Sequence, residues 1–357
     1  SLGASFVGTL PLLASNYQED FQISPYSPVS RLFWNEIYLD LQSLTEIYAS
    51  PELTELLARP DVQDTRESLN KLRLVDYAAV SRVKRSILEC IAKTAWQSQK
   101  SALLGAIEDD PELHRYAAFR ATAETRAVTW PSWPKEMQTR DLQPGDYEED
   151  AYRYHVFAQW ACDSQLADLA SQDCQLYLDL SVGVSGSSYD VWRYQSCFVE
   201  GIDVGAPPDG LFEGGQNWAL PPLHPERSRE VGHEYFAQCV RAHMKHAGML
   251  RIDHVMGLHR LYWVPSELGA TEGLYVRYPA EELYAILLIE SQRQKCALVG
   301  EDLGTVPDGV RPAMEEAGMH RLYVGQFSTQ WREEEQFLGL ECPPAAAIAS
   351  LDTHDRA

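Results

Sequence analysis

Short apolar runs punctuate this chain, and helical stretches fill much of the space between them. Residues 5–10 (Ser-Phe-Val-Gly-Thr-Leu) read as a short buried strand. A second strand is predicted over 174–182, where Cys174 to Val182 alternates apolar and polar positions, and others over 248–253, 295–300, 320–327 and 346–351. From 248 onward each strand follows a helical segment. Repeated strand-then-helix units imply parallel strands joined by right-handed crossovers. The fold class expected is therefore α/β, a TIM (β/α)8 barrel that is incomplete, because the six strands found are two short of the eight that close it.

Between about 40 and 125 the pattern changes to helical spacing. Leu41, Leu44, Ile47 and Tyr48 recur on one face, as do Leu69, Leu72, Leu74 and Tyr77, then Val83, Ile87, Leu88 and Ile91. Pro51, Pro60 and Pro111 fall near helix starts or between helices. Trp130-Pro-Ser-Trp-Pro134 reads as a stiff aromatic linker docked on the core, and a helix is expected over 149–171. The expected organisation is a barrel strand and substrate loop in 1–40, an inserted helical subdomain in 41–148, and a catalytic barrel segment in 149–357.

Polar residues break the apolar runs where a barrel uses them, at the C-terminal ends of strands. One strand ends in Arg251-Ile-Asp-His254, another runs into Gly300-Glu-Asp-Leu-Gly304, and a third is followed by Asp352-Thr-His-Asp355. A charge at the end of a core strand is costly unless paired or put to use. Alternation places Arg251 and Asp253 on one side of their strand and Ile252 and His254 on the other. A guanidinium on the same face keeps Asp253 ionised, as a nucleophile requires. A structural Arg–Asp pair is the alternative for that stretch taken alone.

Three carboxylates at one barrel mouth, without a histidine or cysteine cluster, point to glycosidic bond chemistry. Retention needs an ionised nucleophile and a carboxylic acid that protonates the leaving oxygen and later acts as base. Asp253 suits the first role. Glu301, after the apolar run Ala297-Leu-Val299, suits the second, its pKa raised by desolvation and by neighbouring Asp302. Asp355 is expected to grip sugar hydroxyls, with His254 and His354 as neutral hydrogen-bond partners. Two further segments fit a sugar. Ser24-Pro-Tyr-Ser-Pro28 is a proline-stiffened loop that projects Tyr26 with hydroxyls on either side, where a rigid surface turn is the alternative. The segment 205–218 reads as a shaped loop carrying Asp209, Phe212, Gln216, Asn217 and Trp218.

Composition narrows the partners. Of 357 residues, 52 are acidic and 30 basic, for a formal charge of -22, which argues against nucleic acid or an anionic membrane. Seven scattered cysteines without a CxxC pair predict neither a disulfide framework nor a zinc site, and fit a reducing, cytoplasmic setting. No run of 18 apolar residues and no basic-then-apolar leader occurs. A start at Ser1 without methionine and an end at Ala357 lead us to expect a fragment lacking both true termini. Such a fragment would be poorly stable and weakly active alone, because an open barrel exposes strand edges.

Taken together, Ser24-Pro-Tyr-Ser-Pro28, Asn35-Glu-Ile-Tyr38, Trp130-Pro-Ser-Trp-Pro134, Gly205-Ala-Pro-Pro-Asp209, Gly215-Gln-Asn-Trp218, Arg251-Ile-Asp-His254, Gly300-Glu-Asp-Leu-Gly304 and Thr353-His-Asp355 closely resemble the 4-alpha-glucanotransferases. These are the amylomaltases, or disproportionating enzymes, of glycoside hydrolase family 77. The motifs run in the family's order along nearly the whole chain. The resemblance implies retaining transfer of alpha-1,4-glucan segments from a maltodextrin donor to glucose or another maltodextrin, without metal or organic cofactor. By motif position it makes Asp253 the nucleophile, Glu301 the acid/base and Asp355 the third carboxylate. It also makes Arg251 and His354 active-site residues, and Tyr26, Asp209, Gln216 and Trp218 substrate contacts, with Ser24 and Asp302 alongside them. Two departures concern subsite detail: Ala219 stands where the family usually has glycine, and His259 where an aromatic is common. An alpha-glucan hydrolase of the wider alpha-amylase clan, or an inactive glucan-binding fragment, is the alternative reading.

Overall fold

The structure, a computed structural model, describes residues 3–16, 24–210, 212–331 and 337–353. Contacts divide the chain into two compact units, one of residues 1–11, 172–183 and 196–357, the other of 12–171 and 184–195.

The first unit is built on six parallel strands, each overlapping one of the six apolar runs. They are β1 (Phe6–Gly8), β2 (Gln175–Leu180), β5 (Ala247–Ile252), β8 (Ala297–Gly300), β9 (His320–Val324) and β12 (Ala347–Ser350), paired in that order. The central strands β2, β5 and β8 are largely buried on both faces, whereas β1, which we expected to be buried, is exposed at the edge of the sheet. Helix α11 (Glu234–Met244) lays Tyr235, Phe236, Cys239 and Val240 against β2 and β5, and α12 (Ala280–Gln294) packs beside it. Helices α10 (Pro225–Glu230) and α13 (Val310–Glu316) complete the set. Strand β9 ends before 327, giving way to a 3-10 turn over Gly325–Ser328 and a hairpin of β10 (Thr329–Trp331) with β11 (Phe337–Leu340).

A second sheet in this unit has no counterpart in the sequence reading. Strands β3 (Ile202–Ala206), β4 (Gln216–Leu220), β6 (Arg260–Pro265) and β7 (Leu274–Arg277) form an antiparallel sheet in the order β4-β3-β6-β7. The expected loop over 205–218 is thus corrected: Gln216, Asn217 and Trp218 lie on a strand, and the turn occupies only the stretch between β3 and β4. A shift of register between Val204 and Gly205 hides the alternation. Gly205 is required there, since a Cβ would sit 2.0 Å from the carbonyl oxygen of Gln216.

The second unit is helical, with α1 (Leu41–Ile47), α2 (Pro51–Ala58), α3 (Pro60–Asn70), α4 (Tyr77–Ser98), α5 (Lys100–Asp109), α6 (Pro111–Arg126), α7 (Lys135–Thr139), α8 (Glu149–Ala170) and the short α9 (Tyr189–Arg193). Pro51, Pro60 and Pro111 open their helices, where the missing N–H costs nothing, and Ser50 and Asp110 cap two of them. Trp133 is buried against Phe119, with ring centroids 5.3 Å apart, and its Nε1 donates to the Val128 carbonyl at 3.0 Å. Helix α8 packs on α4 and α6, so residues 149–171 fall with the helices and not with the barrel segment where we placed them. Residues 12–40 likewise group with the helical unit. Among the described residues no helix is long and apolar enough to cross a membrane.

Candidate active site

Strands β2, β5 and β8 lie side by side, and their C-terminal ends bring four charged side chains together. Asp179 on β2 and Arg251 on β5 are cross-strand partners in the sheet register. The Arg251 Nη1 donates to both Asp179 oxygens, at 2.7 and 2.8 Å, and stands 2.8 Å from Asp253 Oδ1. Arg251 and Asp179 are buried, so their attraction is little screened by water. Asp253 remains partly open, with its side chain 17% exposed.

Glu301 follows directly on β8. Gly300 lets the strand end pass against its neighbours, since a Cβ there would lie 2.6 Å from Met314 Cε and 2.9 Å from Val255 Cγ2. The Glu301 N–H donates to the Ile252 carbonyl at 3.0 Å, which ties the acid to the end of β5. Its carboxylate accepts from two backbone N–H groups, Leu303 at 2.8 Å and His254 at 2.9 Å. Burial pushes the Glu301 carboxyl up to about 7, and the negative charge of Asp253 adds to that rise; Arg251 and the two N–H donors oppose it without cancelling it. The neighbour that raises it is Asp253, not Asp302 as we expected from sequence. Asp302 is buried and turned to Arg311 at 2.9 Å and Arg321 at 2.8 Å, and its Oδ1 accepts from the Leu322 N–H at 3.2 Å. It ties β8 to β9 and α13.

His254 follows β5 in the left-handed conformation, with φ 47°, and that twist turns its N–H toward Glu301. Burial lowers its imidazole pKa, opposed by Asp253, so the ring is neutral. Trp218 meets it edge to face at 5.2 Å and rests on the cluster of Val204, Leu220 and Leu261. Gln216 Oε1 accepts from the Trp218 Nε1 at 3.2 Å. The arrangement holds a carboxylate beside a guanidinium, a carboxyl whose pKa is raised to about 7, a neutral imidazole and an indole in one unit.

Residues 1–357 match the family model described as 4-alpha-glucanotransferase. The chain belongs to the 4-alpha-glucanotransferase family. It is 33% identical to the 4-alpha-glucanotransferase of Haemophilus influenzae, over 99% of this chain and 54% of that one. With the Mycobacterium tuberculosis 4-alpha-glucanotransferase the identity is 32%, over 99% of this chain and 51% of that one. The amylomaltase structure from Corynebacterium glutamicum superposes with a TM-score of 0.79 at 26% identity, covering 99% of this chain and 50% of that one. A second structure, amylomaltase from Streptococcus agalactiae in complex with acarbose, has a TM-score of 0.77 at 21% identity, over 91% and 66% respectively. This chain spans about half the length of the curated 4-alpha-glucanotransferases it matches. Its six parallel strands with flanking helices are the incomplete barrel of the amylomaltase fold.

Of the site residues expected for this family, Arg251, Asp253, His254 and Glu301 are brought together, with Trp218 and Gln216 alongside. Asp209, exposed near the hairpin tip, accepts from the Phe212 N–H at 2.7 Å. Ser24 and Tyr26 belong to the helical unit, where the Ser24 Oγ accepts from the Tyr26 N–H at 3.2 Å and Tyr26 is half-buried. His354 and Asp355 lie outside the described residues. Asp179 was missed. A carboxylate between Leu178 and Leu180 in a core strand carried the same signal that singled out Arg251 and Asp253.

Proposed function

We propose that the protein carries out retaining transfer of alpha-1,4-glucan segments between maltodextrins, with Asp253 as nucleophile and Glu301 as acid/base. The observation that carries this reading is the division of labour between two coupled carboxyl groups. Asp253 stands against Arg251, while Glu301, buried beside that charge, holds its proton up to about pH 7. In the first step Glu301 gives its proton to the glycosidic oxygen as Asp253 forms a bond to the anomeric carbon and the reducing-end segment leaves. In the second, the ionised Glu301 takes the proton of an incoming 4-hydroxyl as that oxygen displaces Asp253. Proton and leaving group balance over the two steps, and the configuration is inverted twice.

Asp355 is assigned as the third carboxylate and His354 as its neighbour, on motif position. Trp218 and Tyr26 supply aromatic faces to the glucan, and Ser24, Asp209 and Gln216 its hydroxyl partners. Donor and acceptor are maltodextrins, with glucose as the smallest acceptor, which places the reaction in starch or glycogen breakdown. Residues 172–183 and 196–357 with the first strand are the catalytic part in this reading. Among the described residues no two cysteines are joined in a disulfide, which fits a cytoplasmic setting.

Incubation with maltotriose, resolving products by length, tests the assignment. Glucose together with a ladder of longer dextrins, abolished in Glu301→Gln, is the expected result. Reducing-sugar gain without longer products means that water is the acceptor and the chain is a hydrolase. Binding of maltodextrin without turnover means a glucan-binding protein.

A further inference from the structure

Asp179 is a buried charge at a strand end that the two-step chemistry leaves unused, and unlike Asp302 it faces the catalytic pair. It is 4% exposed, yet both its oxygens accept from a single nitrogen, Arg251 Nη1. That same nitrogen stands 2.8 Å from Asp253. A brace between β2 and β5 does not need this arrangement, because those strands are already paired along Leu178–Leu180 and Leu250–Ile252. We propose, resting on the reading above, that Asp179 is a positioning residue: it orients Arg251 toward Asp253 and takes up the share of its positive charge that would otherwise act on Glu301.

The electrostatics follow from counting charges in a buried site. A lone guanidinium beside two carboxyl groups favours ionisation of both, and Glu301 then has no proton to give. With Asp179 bound, the Arg251–Asp179 pair is close to neutral and Asp253 carries the remaining negative charge, which keeps the proton on Glu301. Around Glu301, β2 brings Tyr177 and Asp179, and β5 with its C-terminal extension brings Arg251, Asp253 and His254. Beyond it, β9 and α13 bring His320, Arg321 and Arg311, of which both arginines are bound to Asp302. Arg251 is therefore the cation whose charge Asp179 controls. Tyr177, two residues before Asp179 and so on the same face of β2, has a buried hydroxyl without a hydrogen-bond partner. Burial pushes its phenol up to about 12, so it brings no negative charge to Arg251.

The test is Asp179→Asn and Asp179→Glu, read as the pH profile of transfer and as the titration midpoint of the Glu301 carboxyl by 13C NMR. The Glu301 signal is assigned by its loss in Glu301→Gln. Removing the negative charge while keeping the shape is expected to move the basic limb and the Glu301 midpoint down by about one pH unit. Asp179→Glu keeps the charge but shifts Arg251, so the midpoint stays while turnover falls about tenfold or more. An unmoved midpoint in Asp179→Asn overturns the proposal, as does full turnover in Asp179→Glu, which decides the matter if the asparagine variant does not fold. Undiminished transfer in Glu301→Gln is a different outcome: it overturns the acid/base assignment itself.

Discussion

The backbone N–H of His254 donates to the Oε2 of Glu301 at 2.9 Å, across from one strand end to the next. This contact exists because His254 leaves β5 in a left-handed conformation, which turns its N–H out of the sheet direction. It puts the acid beside Asp253 and fixes which way the carboxyl faces.

Glu301 is expected to set the basic limb of activity. Its folded pKa of about 7 lies above the ordinary 4.5, so the proton needed for the first step is lost as pH rises through about 7. The same shift has a stability sign. A raised folded pKa means stability that is fully present below about 4.5 and is lost as pH rises through about 7. Glu301→Gln should therefore lose transfer by about a hundredfold or more, yet melt higher at pH 8 by the equivalent of about 1–2 kcal/mol. At pH 4 that gain should vanish. Thermal melts at the two pH values check it.

Asp302→Asn separates an anchor from a sugar contact. The substitution leaves Arg311 and Arg321 without their shared carboxylate, and because both guanidinium groups reach solvent the cost is about 2 kcal/mol, below that of a wholly buried pair. Denaturant unfolding should register this loss while KM for maltotriose stays near its original value. A raised KM with unchanged stability would return Asp302 to the substrate.

Ala219 adopts φ 55°, a left-handed conformation that costs an L-residue about 1–2 kcal/mol, and its N–H is held by Asn217 Oδ1 at 2.7 Å. Glycine removes that strain at an entropic cost of about 0.5–1 kcal/mol. Ala219→Gly should consequently stabilise the first unit by about 0.5–1 kcal/mol. Calorimetric melting gives the sign directly.

In the helical unit, Glu124 accepts from Arg85 through both oxygens, at 2.7 and 2.9 Å, and meets the buried His155 Nε2 at 2.7 Å. Burial alone would raise the Glu124 carboxyl, but His155 and Arg85 outweigh it and hold it well below the ordinary range. A depressed folded pKa gives stability that is present above about 4.5 and is lost on further acidification. Glu124→Gln should cost about 2–4 kcal/mol at pH 7, with the difference from the parent shrinking as pH falls below 4.5. Acid unfolding followed by circular dichroism of the helices provides the readout.

What the sequence by itself determined was the local and periodic part. The parallel strands were legible as short apolar-rich runs set between helical stretches, even though β2 and β5 carry Asp179 and Arg251 within the run. The helix starts were legible because Pro51, Pro60 and Pro111 can sit at a first turn and not within a helix. Asp253 and Glu301 stood out as charges placed where a core strand ends. Only the tertiary structure decided the partners. The antiparallel sheet pairs β3 with β6 across more than fifty residues, and its bulge at Val204–Gly205 erases the alternation that would have marked it. Asp302, adjacent to Glu301 in sequence, turns to Arg311 and Arg321, while Asp253 from another strand takes its place beside the acid. Asp179 meets Arg251 only through the register of β2 on β5. A side chain's direction at a strand end, and the charge it faces there, are set by neighbours that pairing brings close and that spacing along the chain does not encode.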